Sequence, residues 1–252
     1  MNFSGISGNS LLGQILRLPL KLIPPGTIMP ILQGRLRGKK WIVGSSDHGC
    51  WLGSYENKKR VVFEKMINSG SVVFDLGAHV GFYSLLASIL VGPKGMVYSF
   101  EPVPKNIYYL KRHLRLNNIR NVAVIEAALS DRNGSTKFFV DESNRISRYK
   151  GGISSDGNLI VKIVSLDQLY EQEVIPIPKY IKIDVEGAEM LVFIGARKIL
   201  SNFHPTIFLA THGELIHDQC CAFLKSTGYE LEAINGSDVK KSNEIIAYSQ
   251  CP

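Results

Sequence analysis

Hydrophobic and polar positions follow two regimes along this chain. Before residue 70 the apolar runs are short and interrupted. Ile28-Met29-Pro30-Ile31-Leu32 and Lys40-Trp41-Ile42-Val43 are strand-like, and the turn from Gly34 to Gly38 between them predicts a small hairpin. Ahead of it, Pro24-Pro25-Gly26 sets off an N-terminal arm. A Gly- and Ser-rich loop runs from Gly44 to Trp51. It leads to a helix predicted over about 55–67, with Val61, Val62, Met66 and Ile67 on its inner side.

From residue 72 onward strand and helix patterns alternate, which predicts a parallel sheet. Strands are expected at 71–74, 96–100, 122–126, 180–183 and 206–210. Helices are expected over 81–90, after Pro104 with Ile107, Leu110 and Leu114 on one stripe, over 188–200, and over 217–226 up to Gly228. Strand-like pieces at 136–140 and 159–164 interrupt the alternation. The polar stretch 141–158 between them is expected to be a mobile loop. Runs at 229–233 and 244–248 read as a closing hairpin around Asn235-Gly236. The expected organisation is an arm and hairpin over 1–54, then one α/β domain over 55–252.

Composition changes this picture little. The chain has 252 residues, and its formal net charge of +7 suits an anionic partner such as nucleic acid, a membrane surface or an acidic substrate. The basic clusters Arg35-Arg37-Lys39-Lys40, Lys58-Lys59-Arg60 and Lys111-Arg112-Arg115 read as solvated faces. Cys50, Cys220, Cys221 and Cys251 form no C-x-x-C pair, so a reducing, cytoplasmic setting is the simpler expectation. The apolar stretch from Leu11 to Ile23 is broken by Gln14, Arg17, Pro19 and Lys21 and is too short to span a bilayer. It suits covering the fold, with peripheral membrane contact as the alternative.

Candidate chemistry lies where the strands end, because ligands of an open parallel sheet bind beyond the carboxyl ends of its strands. Four of the five ends carry an ionisable side chain: Asp75, Glu101, Asp184 and His212. Glu101 is placed to accept hydrogen bonds from a ribose diol. Gly77 and Gly81 let the backbone approach a ligand closely. Asp75 at the mouth of the turn would repel a pyrophosphate and attract a cation. That favours S-adenosylmethionine, which carries a sulfonium and an ammonium, over a nicotinamide dinucleotide. Each acid also has a plainer reading. Asp75 and Asp184 suit helix capping, Glu186 suits a helix dipole, and His212 suits a structural strand end. Trp51 suits packing as well as closing over a ligand with His48 and Tyr55. His113, His204 and His217 read as surface or packing residues.

The segments VVFDLGAHVGFYSLLA, VYSFEPVPKN, VIEAALSD, YIKIDVEGAE and FLATHG resemble the FkbM-type methyltransferase family, as does KKWIVGSSDHGCWLGSYE upstream. The likeness covers roughly residues 35–235. It implies a class I, seven-stranded Rossmann-like fold, mainly parallel, with helices on both faces and S-adenosylmethionine as cofactor. It implies that Asp75, Gly77, Ala78, Gly81, Phe82 and Tyr83 line the methionine side of the donor. Glu101, Pro102 and Asn106 would hold the ribose, with Ala127, Ala128 and Ser130 flanking the adenine. Asp184 and Glu186 would face the reacting end, with His212 and Asp184 as candidate bases and no metal ligand assigned. The acceptor implied is a hydroxyl of a small molecule or saccharide. The chain departs from the family pattern at His79, where an Asn is usual, and at Ala210, where an acid is usual. RNA methylation and donor binding without catalysis are the competing readings. The first lacks a basic stripe interleaved with aromatics, and the second is motivated by Ala210.

Overall fold

The computed structural model describes residues 19–140 and 151–249. The first 18 residues of the expected arm, and residues 141–150 of the expected loop, lie outside these. Strands β1 (Ile28–Pro30) and β2 (Lys40–Ile42) pair antiparallel as the expected hairpin. A short helix, α1 (His48–Leu52), occupies part of the expected Gly/Ser loop, and α2 spans Asn57–Met66. The alternating region then gives β3 (Val72–Leu76), α3 (Phe82–Val91), β4 (Met96–Phe100), α4 (Pro104–Leu116) and β5 (Val122–Ile125).

The interruption is a second sheet. It consists of β6 (Ala128–Leu129), β7 (Gly134–Val140), β8 (Gly151–Ile153) and β9 (Leu159–Val164), in the spatial order β6-β9-β7-β8. Residues 151–153, expected in a loop, are therefore a strand. After α5 (Leu166–Glu171) the main sheet resumes with β10 (Tyr180–Ile183). The expected single helix after it is two, α6 (Glu189–Gly195) and α7 (Arg197–Phe203). They part at Ala196, next to Gly195, where a Cβ would lie 2.0 Å from the Ser130 carbonyl oxygen, so the segment just after β6 passes against bare backbone. β11 (Thr206–Ala210), α8 (Glu214–Ser226), β12 (Glu230–Ala233) and β13 (Glu244–Tyr248) complete the chain.

The main sheet has seven strands in the order β12-β13-β11-β10-β3-β4-β5. Its strands are parallel except β13, which runs antiparallel to β11 and β12. This is the expected α/β fold with an antiparallel closing hairpin. Both faces are buried. Phe74, Leu76, Ile181, Ile183 and Leu209 pack on one side against Val192, Phe193 and Leu200. Val73, Val97 and Phe208 pack on the other against Phe63, Leu85 and Leu86.

The hairpin's Trp41 and Val43 join this second cluster. Trp41 stacks on His113 of α4 at 3.8 Å between ring centroids and 12° between planes. The buried His113 imidazole presents Nε2 to the Ile42 N–H at 3.1 Å and Nδ1 to the Val80 carbonyl at 2.8 Å. Accepting at one nitrogen and donating at the other requires the neutral ring. Burial accordingly pushes its pKa down to about 4. His113 thus clasps the hairpin to the turn after β3.

The expected inner side of α2 is incomplete. Its buried residues are Lys59, Arg60 and Phe63, while Val61, Val62 and Met66 are half-buried. Two of the three basic residues read as a solvated face are therefore interior. Arg60 pairs with Glu64 at 2.5 Å and bonds the Asn57 side chain at 2.7 Å. Lys59 points to the strand ends.

Candidate active site

Beyond the carboxyl ends of the parallel strands lies a cavity of about 380 Å³. Of the residues the sequence singles out, Gly77, Ala78, Phe82, Tyr83, Glu101, Pro102, Asn106, Ala127, Ala128, Asp184, Glu186 and His212 all line it.

Glu101, directly after β4, is 4% exposed. Its Oε1 accepts from the Val103 N–H at 3.0 Å and the Asn106 side-chain amide at 3.1 Å, and its Oε2 from the His79 N–H at 2.8 Å. Burial raises its pKa, and these three donors and Lys182 oppose that rise. A carboxylate has about four lone-pair sites, so with these three donors in place about one, on Oε2, remains for a ribose hydroxyl. The His79 N–H reaches Glu101 because His79 adopts φ +51°, a left-handed conformation that Asn tolerates better than His.

Three expected ligand residues, Asp75, Gly81 and Ser130, are not in the lining. Asp75 lies inside β3, in register with Ser99 of β4 and Lys182 of β10. Its carboxylate is 1% exposed, 3.2 Å from the Lys182 ammonium, and accepts from Ser84 Oγ at 2.6 Å. Ser99 in turn donates to Ser84 Oγ at 2.8 Å. The charge of Asp75 is thus matched within the sheet and does not select the ligand's charge. Gly81 turns at φ +90°, where a Cβ would come 3.0 Å from Leu110 Cγ, so its bareness serves helix packing. At Gly77, φ is +76° and a Cβ would lie 1.9 Å from the Asp184 carbonyl oxygen, so two strand ends meet there while the backbone still lines the cavity. Ser130, expected near an adenine, is buried away from the cavity and donates to Asp131 at 3.0 Å.

The opposite end of the cavity is built around Asp184 and His212. The Asp184 Oδ2 lies 3.5 Å from the Lys59 ammonium and 3.8 Å from that of Lys182, and its Oδ1 lies 3.7 Å from His212 Nε2. Burial alone would raise the Asp184 pKa, but Lys182, Lys59 and His212 together hold it below the ordinary carboxylate range. Asp184 caps no helix: α6 starts at Ala188 without a side-chain cap. His212 Nδ1 meets Oε1 of the fully buried Glu189 at 2.6 Å, leaving Nε2 facing Asp184 and, at 3.3 Å, Glu186. The Glu189 hydrogen bond leads the causes that raise the His212 pKa, with Glu186 and Asp184 adding to it and burial opposing. Ligand atoms of Asp184, Glu186 and His212 lie within 4.8 Å of one another, close enough to hold a metal ion. The two ammonium groups beside Asp184 already supply positive charge there.

Sequence reasoning missed Lys59, Lys182, Glu56, Glu189 and Glu244. Lys59 is 1% exposed and pairs with Glu56 at 2.9 Å and Glu244 at 3.2 Å, besides Asp184. Both lysine ammoniums lie 5.5 Å from the centre of the Tyr83 ring. Glu244 of β13 is the cross-strand partner of Ala210, so a carboxylate enters the cavity beside the position where the family acid is missing. One signal for these residues was legible: a lysine within a strand buried on both faces, as in Tyr-Ile-Lys-Ile, needs a buried partner. Of the three residues expected to close over a ligand, Tyr55 lines the cavity and Trp51 and His48 do not. Trp51 instead donates to His48 Nδ1 at 3.1 Å. His113, His204 and His217 lie outside the cavity.

A family model described as the methyltransferase FkbM domain matches residues 75–231. A hexuronic acid methyltransferase, AglP, from Haloferax volcanii is 28% identical over 139 residues, covering 54% of this chain and 54% of that protein. A protein-L-isoaspartate O-methyltransferase from Methanothrix thermoacetophila is 26% identical over 137 residues, covering 51% of this chain and 62% of that protein. The match thus spans little more than half the length of each. Among solved structures, a methyltransferase FkbM from Methylobacillus flagellatus superposes with a TM-score of 0.50 at 18% identity, over 71% of this chain and 43% of that one. That likeness speaks for the fold.

Proposed function

The chain belongs to the FkbM methyltransferase family, whose donor is S-adenosylmethionine, and on that premise we propose that it methylates a hydroxyl oxygen of a small molecule or saccharide. The observation that carries this reading is the histidine at the mouth of the cavity, oriented by a buried carboxylate at 2.6 Å. The hexuronic acid methyltransferase among the relatives supports a saccharide acceptor.

The residues present suit the donor. A cavity of about 380 Å³ falls in the range of small-ligand sites. Glu101 keeps an acceptor site for a ribose hydroxyl, and the carboxylates at the other end match a cation. Glu101, Pro102 and Asn106 hold the ribose, Ala127 and Ala128 flank the base, and Asp184 and Glu186 face the charged end. When bound, the donor supplies an activated methyl group on a sulfonium. The chain's own residues align and deprotonate. With the donor bound, transfer of its methyl to the acceptor oxygen would break the methyl–sulfur bond and leave the neutral thioether S-adenosylhomocysteine; His212 Nε2 would take the hydroxyl proton, and Glu189 would steady the imidazolium so formed. Asp184, held ionised by two lysines, stays a carboxylate throughout. A cytoplasmic setting accords with free thiols at Cys50, Cys220 and Cys221, and among the described residues no helix is long and apolar enough to cross a membrane.

Calorimetry with S-adenosylmethionine and S-adenosylhomocysteine tests the donor. Labelled methyl transfer to a panel of glycosides and other hydroxylated small molecules tests the acceptor. Binding of both donor forms, with label in an alkali-stable ether, is expected. Donor binding without transfer to any acceptor favours a binding protein that has lost catalysis.

A further inference from the structure

The cavity is far more acidic than the protein around it. Among the described residues, Asp47, Glu56, Glu101, Asp184, Glu186 and Glu244 line it, against two ammonium groups, Lys59 and Lys182. Both are already committed. Lys182 lies 3.2 Å from Asp75, 3.8 Å from Asp184 and 3.0 Å from the Gly77 carbonyl. Lys59 lies 2.9 Å from Glu56, 3.2 Å from Glu244 and 3.5 Å from Asp184. Neither has a charge left over for a third party. Nor does His212, whose Nδ1 is on Glu189 and whose Nε2 faces two more carboxylates.

The acidic excess is at the reacting end. Asp184 joins the two halves of that end, touching His212 on one oxygen and Lys59 on the other. Glu56 and Glu244 are therefore linked to the proposed base through Lys59 and Asp184, and both line the same cavity. An acceptor carrying a carboxylate or phosphate near its reacting hydroxyl would be brought into this field without a counter-ion, in a partly desolvated site. An uncharged polyol meets the opposite situation, since carboxylate oxygens accept hydrogen bonds from hydroxyls with charge assistance.

We propose that Glu56 and Glu244, locked in place by Lys59, make this site selective for an uncharged saccharide and exclude hexuronates. This deepens the proposed function and rests on it. It also sets the chain apart from the relative named for a hexuronic acid acceptor. Selectivity here comes from repulsion of the wrong ligand as much as from contacts to the right one.

Saturation-transfer NMR measures the binding directly, without turnover. The full chain is saturated with S-adenosylhomocysteine in low salt with EDTA. It is then offered pairs of methyl hexopyranosides and the matching methyl hexopyranosiduronates. The neutral glycoside is expected to bind at least about tenfold more tightly. Glu244→Gln and, independently, Glu56→Gln should each narrow that ratio severalfold by admitting the uronate, with S-adenosylhomocysteine kept saturating for each variant. Equal or tighter uronate binding by the unmodified protein overturns the proposal, as does a ratio that neither substitution moves. If neither glycoside binds while S-adenosylhomocysteine does, the saccharide reading falls and this one with it. If S-adenosylhomocysteine does not bind, the fault lies with the donor assignment.

Discussion

His212 keeps its Nδ1 on the Glu189 carboxylate at 2.6 Å, and that contact sets a pH dependence. A base must be neutral to act, and the Glu189 bond favours the charged ring. The rising limb of kcat/KM against pH should therefore lie above the ordinary histidine value of 6.5. Glu189→Gln should move that limb down, a shift that a merely structural role for Glu189 would not produce. His212→Ala should lower kcat by roughly 10²–10⁴-fold with donor affinity nearly unchanged. Two other carboxylates separate folding from binding. Asp75→Ala strands the buried Lys182 ammonium and should cost about 3–5 kcal/mol in urea unfolding. Glu101→Gln should leave the fold intact and weaken donor binding about 10- to 100-fold by calorimetry. Equal effects of these two substitutions on stability would undo the distinction drawn between them.

At the scale of elements, the N-terminal hairpin is tied to the sheet domain through a neutral histidine. His113 has a folded pKa depressed from 6.5 to about 4. Between those values the unfolded chain binds the proton and the folded one does not, so stability rises with pH across that window and is lost as pH falls through it. The depression corresponds to about 3 kcal/mol in full. Unfolding at pH 7 and pH 4.5 should show His113→Gln with a clearly smaller acid loss than the unmodified protein, after a lower starting stability. Elements were unevenly legible. The strands 96–100, 180–183 and 206–210 stand where the alternating pattern put them, because short, mainly apolar runs between turn residues admit little else. The second sheet was not legible as a sheet. Two of its strands, β6 and β8, have only two and three residues, and the pairing joins segments far apart in sequence, such as β6 with β9. The extent of β3 was misjudged by two residues at Asp75, because a charge reads as a strand end unless its partner on the neighbouring strand is known.

For the whole molecule, the net charge of +7 gives the wrong sign for the site. Arg35, Arg37, Lys40, Lys111 and Arg115 are exposed, whereas most of the charged residues lining the cavity are carboxylates. Surface charge of this kind gives weak, salt-sensitive attraction to polyanions without delivering them to the site. Labelled methyl incorporation into total RNA should accordingly stay at background even at low salt. Incorporation above background would assign the cavity to RNA.

The alternation of apolar runs determined the α/β class and where along the chain the strands of the main sheet fall. The residues at the strand ends located the site: Glu101, Asp184 and His212 all reach the cavity. Periodicity and loop position are local properties, so the chain carries them openly. Which charges face the ligand and which cancel inside the sheet was decided only by tertiary structure. Lys182 meets Asp75 across more than a hundred residues, and Lys59 meets Glu244 across more still. Glu244 enters beside Ala210 only because β13 runs antiparallel in that register. Ion pairing depends on distances between remote segments, and no local pattern encodes those distances.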